Sequence, residues 1–102
     1  MKAVPERLAD LGALYKERNA LYKDNYKRFG DTLVSLFPEG ITLKTAEEFN
    51  RFCLFLQLQH KMSRYAHSVK TGGHADSLDD ITVYAQMTAE YDDEKRSNSN
   101  AR

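Results

Sequence analysis

From Thr45 to Val69 the chain runs without a single glycine or proline. No other stretch restricts the fold as much. Thr45-Ala-Glu-Glu48 at its start fits a capping box, in which the threonine hydroxyl accepts from the third helical amide and the glutamate reaches back. Thr71-Gly72-Gly73 then stops the helix, either glycine being able to take the left-handed C-terminal position. At about 100° per residue, Phe49, Phe52, Cys53, Phe55, Leu56 and Leu58 spread over more than half of the wheel. A helix apolar nearly all round is a buried one. It needs more cover than a chain of 102 residues readily supplies, so a homodimer or higher homo-oligomer is expected.

The remaining elements also read as helical. Leu8, Leu11, Leu14/Tyr15, Leu21 and Tyr22 lie close to helical spacing and predict a first amphipathic helix over 6–22. Residues 32–37 are ambiguous between helix and strand; helix is preferred, since no second strand is visible to pair with them. Pro38-Glu-Gly40 ends that element with turn chemistry. A last helix runs from near Asp76 to about Tyr91. The fold class predicted is all-α, a small bundle of about four helices, two long and two shorter. Residues 1–91 form a single helical domain, and 92–102 a polar, frayed tail.

Composition closes off several classes. No apolar run reaches the ~20 residues that span a bilayer, and Met1 to Arg7 lack the apolar segment of a secretion signal. Cys53 is the single cysteine, so no internal disulfide forms and a structural thiol is expected. The compartment this implies is the cytoplasm. Residues 1–30 hold seven basic and four acidic side chains, a balance of +3, whereas 71–96 hold seven acidic and two basic, a balance of −5. Neither is the dense basic stripe of a nucleic-acid binder.

The polar residues of the two long helices carry the chemistry. Asn50, Gln57, Lys61 and Arg64 share a stripe within about 60° of the central helix's wheel. On an otherwise apolar helix that stripe faces water, a partner charge or a ligand. Two readings stand: Lys61 and Arg64 emerge at an exposed end or pair with aspartates next door, or they grip an anion such as phosphate. On the last helix, Asp76 and Asp80 lie one turn apart. They can share a hard divalent cation such as Mg²⁺; alternatively Asp76 caps the helix and Asp80 bonds Lys61 or Arg64. His60, His67 and His74, without a cysteine pair at zinc spacing, make a poor zinc set. His60 reads instead as a core or interface histidine. Tyr15 and Tyr22, seven apart, read as packing residues, with stacking on a base as the alternative.

Lys61-Met-Ser-Arg64, a short loop, then Asp76-Ser-Leu-Asp-Asp80-Ile-Thr-Val-Tyr84-Ala85 resembles the MazG-type all-α nucleoside-triphosphate pyrophosphohydrolases. It is most similar to their small phage-encoded, nucleotide-modification-associated branch. Tyr22-Lys-Asp-Asn-Tyr26, followed by Asp31, resembles that branch's Tyr-Gly-Asp-Ser loop, with Lys23 where glycine is usual. The resemblance implies a Mg²⁺-dependent enzyme, dimeric or tetrameric, that cleaves a (deoxy)nucleoside triphosphate to monophosphate and pyrophosphate. It makes Asp76 and Asp80 metal ligands, puts Lys61 and Arg64 on the phosphates, and counts Asp76, Asp80 and Lys61 as catalytic. In one respect the chain departs from the pattern. Family members carry a Glu-x-x-Glu pair on the preceding helix, where this chain has Gln57, His60, Lys61 and Arg64. Asp24, Asp31 or a second subunit would have to supply the missing ligands. The alternative is a non-catalytic member that keeps the scaffold as a nucleotide-binding or oligomeric interaction module.

Overall fold

The computed structural model describes residues 1–100. Four α-helices and one short 3₁₀ turn make up its regular structure: α1 (Val4–Tyr22), the turn Asn25–Lys27, α2 (Phe29–Leu36), α3 (Ala46–Ala66) and α4 (Ala75–Asn100). No helix among the described residues is long and apolar enough to cross a membrane.

The capping box opens α3. Thr45 Oγ1 accepts from the Glu48 amide at 3.1 Å, and Glu48 Oε1 accepts from the amides of Thr45 at 3.0 Å and Lys44 at 3.1 Å. The helix stops at Ala66, a few residues before the glycines. Residues 67–71 turn, and the Gly73 amide closes back on Ser68 O at 2.7 Å. Gly73 has φ +88°, and a Cβ there would sit 3.1 Å from the Tyr65 hydroxyl. The positive φ favours glycine here, and a Cβ would also crowd the Tyr65 hydroxyl.

The turn sends α4 back antiparallel to α3. Among the described residues these two helices make the most extensive helix–helix contact. Arg51 Nε donates to Asp92 Oδ1 at 2.7 Å, and Asn50 Nδ2 to the Tyr91 hydroxyl at 3.3 Å. The buried side chains among the described residues are polar: Gln59, which donates to Ser63 Oγ at 2.8 Å, and Ser77 in the first turn of α4. Helix α2 is the segment left ambiguous by sequence, and it lies along α3. Phe29 stacks on His60 with ring centroids 4.1 Å apart, and Phe37 meets Phe52 and Phe55 at 6.0 and 5.6 Å. Burial, and secondarily the neighbouring Lys61, holds the His60 imidazole below the ordinary histidine range.

Two expectations need correction. Helix α4 does not end near Tyr91 but continues to Asn100; residues 101–102 of the predicted frayed tail lie outside the described residues. Nothing from Asp92 onward breaks a helix, and Asp92 and Asp93 find partners in Arg51 and Arg96. Cys53, expected as a structural thiol, is exposed, as is Phe49. No apolar side chain among the described residues is fully buried. The radius of gyration is 18.0 Å, against about 13 Å for a compact domain of this length.

The box yields a stability prediction. Thr45→Ala removes one orphan-amide acceptor and lowers unfolding free energy by about 1 kcal/mol in urea titrations followed by circular dichroism. Hydrogen bonds from the Lys44 and Thr45 amides and the Thr45 hydroxyl hold the Glu48 carboxyl below the usual range. With its folded pKa depressed, Glu48 contributes stability that is present above the ordinary glutamate range. That contribution is lost as pH falls through about 4.3 and below. Glu48→Gln removes this part of the acid sensitivity.

Candidate functional site

Three elements meet where the start of α4 passes the last turns of α3. Lys61 and Arg64, three residues apart on α3, point the same way. Asp80, in the second turn of α4, lies between them: Lys61 Nζ is 3.5 Å and Arg64 Nη1 3.7 Å from Asp80 Oδ2. Arg64 Nη2 also donates to the Tyr22 hydroxyl at 3.0 Å, and its guanidinium lies 5.3 Å from the centre of the Tyr22 ring. The C-terminal turn of α1 is thereby tied to the hairpin. Two cations share one carboxylate, so the cluster keeps a surplus positive charge.

Arg64 also borders a hollow of about 420 Å³ walled by Tyr15, Tyr22, Tyr26 and Phe29, with Arg18 on its rim. The Tyr15 and Tyr26 hydroxyls lie 3.1 Å apart and their rings meet edge to face. Hydrogen bonding to Tyr26 pushes the Tyr15 hydroxyl up. Planar rings on the walls and guanidiniums at the rim match a flat aromatic group bearing an anion.

The loop that carries Tyr22 into this wall is held locally. Asp24 Oδ1 accepts from Asn19 Nδ2 at 2.6 Å, and the Asp24 amide donates to Asn19 Oδ1 at 2.8 Å. Lys27 adds a contact at 3.3 Å to the other carboxylate oxygen. These bonds, Asn19 first, hold the Asp24 carboxyl below its usual range. Lys23 and Asp24 both have positive φ, 50° and 59°. Lys23 thus occupies, with a side chain, a backbone shape that glycine adopts freely.

Of the four residues picked from the sequence, Lys61, Arg64 and Asp80 come together, while Asp76 lies exposed in the first turn of α4. Asp76 is not the cap. That place belongs to His74, whose Nδ1 faces the Ser77 amide at 3.3 Å and the Ser77 hydroxyl at 2.6 Å. Histidine is uncommon as a cap, so no residue type marks this one in advance. Arg18 and the Tyr22–Arg64 contact were likewise not anticipated; the latter joins residues 42 apart.

The donor set also bears on the metal. Asp80 already faces two cations, and Asp24 is engaged by Asn19 and Lys27. Among the described residues no three His, Cys, Asp or Glu side chains gather into a group able to hold an ion. Mg²⁺ takes six oxygens, usually one or two from carboxylates and the rest from waters and substrate phosphates.

The left-handed lysine gives a direct test. Lys23→Gly relieves strain of about 1 kcal/mol, partly offset by the freer unfolded chain, and raises the urea midpoint without loss of helix signal. No family model, no curated protein and no solved structure matches this chain.

Proposed function

We propose that this protein binds a (deoxy)nucleoside triphosphate. Its phosphates would be held by Lys61 and Arg64, and its base would lie among Tyr15, Tyr22, Tyr26 and Phe29. One observation carries the reading: the guanidinium that pairs with Asp80 is also a wall of the aromatic hollow. A triphosphate competing with Asp80 for these cations gains charge-assisted, bidentate contacts that a single carboxylate cannot match. Arg18 on the rim adds to the attraction for a polyanion.

The resemblance to MazG-type pyrophosphohydrolases supplies a second reading, cleavage to monophosphate and pyrophosphate with Mg²⁺, with Asp76 and Asp80 as ligands and Lys61 on the transferred phosphates. Asp80 favours it by its position within reach of both cations. The family's second carboxylate pair is missing from α3, so that reading draws its further ligands from Asp24, Asp31 or a second copy of the chain. Under either reading the working unit is a homodimer or higher homo-oligomer.

Calorimetry and thermal shift with a panel of canonical and modified nucleoside triphosphates test the proposal. Micromolar binding is expected, weakened at least about tenfold, or 1.4 kcal/mol, by Arg64→Ala. No detectable binding of any of them at millimolar concentration would dispose of the nucleotide reading. Pyrophosphate release with Mg²⁺ or Mn²⁺, abolished by Asp80→Asn in a variant that keeps its helix content, selects the hydrolytic reading. Binding without release selects the binding module.

A further inference from the structure

Beside the aromatic hollow lies a second one, nearly as large at about 380 Å³, walled by Glu17, Arg18, Tyr22 and Arg64. Arg18, Tyr22 and Arg64 also line the aromatic hollow, so the two share an edge made of these three side chains. The chemistry changes across that edge. Rings dominate one side and charges the other.

Arg18 and Tyr22 stand one turn apart on α1, which puts both side chains on one face. Tyr22 accepts from Arg64 Nη2 at 3.0 Å, and this contact draws α3 up to that face. The two guanidiniums differ in how far they are already engaged. Arg64 shares Asp80 with Lys61, yet its buried Nε–H finds no acceptor among the described residues. Arg18 takes part in no ion pair among the described residues. Glu17, the carboxylate of the second hollow, is next to it in sequence, and neighbours at that spacing do not face each other on a helix.

We infer that the second hollow is the subsite for the terminal phosphate of the bound nucleotide, and that Arg18 is the residue that reads it. The inference rests on the nucleotide reading and adds a preference to it, for the triphosphate over the di- and monophosphate. With the base among the rings, the inner phosphates stay on Lys61 and Arg64, in competition with Asp80. The terminal phosphate meets a guanidinium that has no counter-ion to give up. The planar fork of an arginine takes two oxygens of one phosphate. Glu17 opposes the anion from within the same hollow and limits how tightly it is held. A monophosphate, held at Arg64, does not extend to Arg18.

Calorimetry in EDTA, which removes divalent cations and prevents turnover, compares the mono-, di- and triphosphate of each nucleoside in the same panel. The wild-type chain is expected to bind triphosphate at least about tenfold more tightly than monophosphate, with diphosphate between them. Arg18→Gln weakens triphosphate about tenfold and monophosphate by less than about twofold. Arg18 is exposed, so helix content by circular dichroism is unchanged. Arg18→Lys, which keeps the charge and loses the fork, stays at least about threefold weaker than wild type. Glu17→Gln, at a second exposed position, tightens triphosphate about twofold or more. Equal loss for mono- and triphosphate in Arg18→Gln, or no loss, overturns the subsite while nucleotide binding itself stands. Full recovery in Arg18→Lys overturns the two-oxygen contact. If no form of any nucleoside binds at millimolar concentration, the subsite and the nucleotide reading fall together.

Discussion

The antiparallel union of α3 and α4 carries everything else in this molecule. It is tied toward one end by Arg51 on Asp92 and toward the other by Lys61 and Arg64 on Asp80, while the buried side chains among the described residues are Gln59 and Ser77 rather than leucines. Ion pairs that remain partly exposed contribute little each, and a small polar interior gives little hydrophobic drive. What such an arrangement supplies is register, because each charge has a named counterpart on the opposing helix. Helix α2 lies along the outside of α3 through Phe29 and Phe37, and α1 is anchored through Tyr22.

From this geometry the chemistry of the candidate site follows. A register that brings Asp80 opposite the Lys-x-x-Arg pair leaves two cations on one anion, beside an aromatic hollow. The carboxylate holds the cations apart and oriented while no larger anion is present, a form of preorganisation that lowers the cost of binding. Under the nucleotide reading proposed above, the same carboxylate would be the group an incoming polyanion displaces, so Asp80 would lower affinity while it maintains shape.

Features that depend on neighbours in sequence were legible from the chain alone. The capping box at Thr45 and Glu48, the glycines after α3, and the helical character of the central segment all rest on interactions within about one turn. The shared face of Lys61 and Arg64 was legible for the same reason. Contacts across long separations were not. Tyr22 and Arg64 each stood out, but nothing in local spacing says that residues 42 apart touch. The far end of α4 was misread because a polar, charged composition resembles a frayed tail. Partners for Asp92 and Asp93, on α3 and within α4, are visible only in three dimensions. Burial was misread most, since an apolar wheel says that cover is needed without saying who provides it. In one copy of this chain Phe49 and Cys53 face outward.

Arg64 is a junction: one guanidinium touches a tyrosine from the first helix and an aspartate from the fourth while belonging to the third. Such a junction limits how the sequence can drift. Replacing the arginine would take the donor from the Tyr22 phenol and leave Asp80 to Lys61 alone. Positions 22, 64 and 80 are thus mechanically coupled through one side chain, although they lie on three different helices.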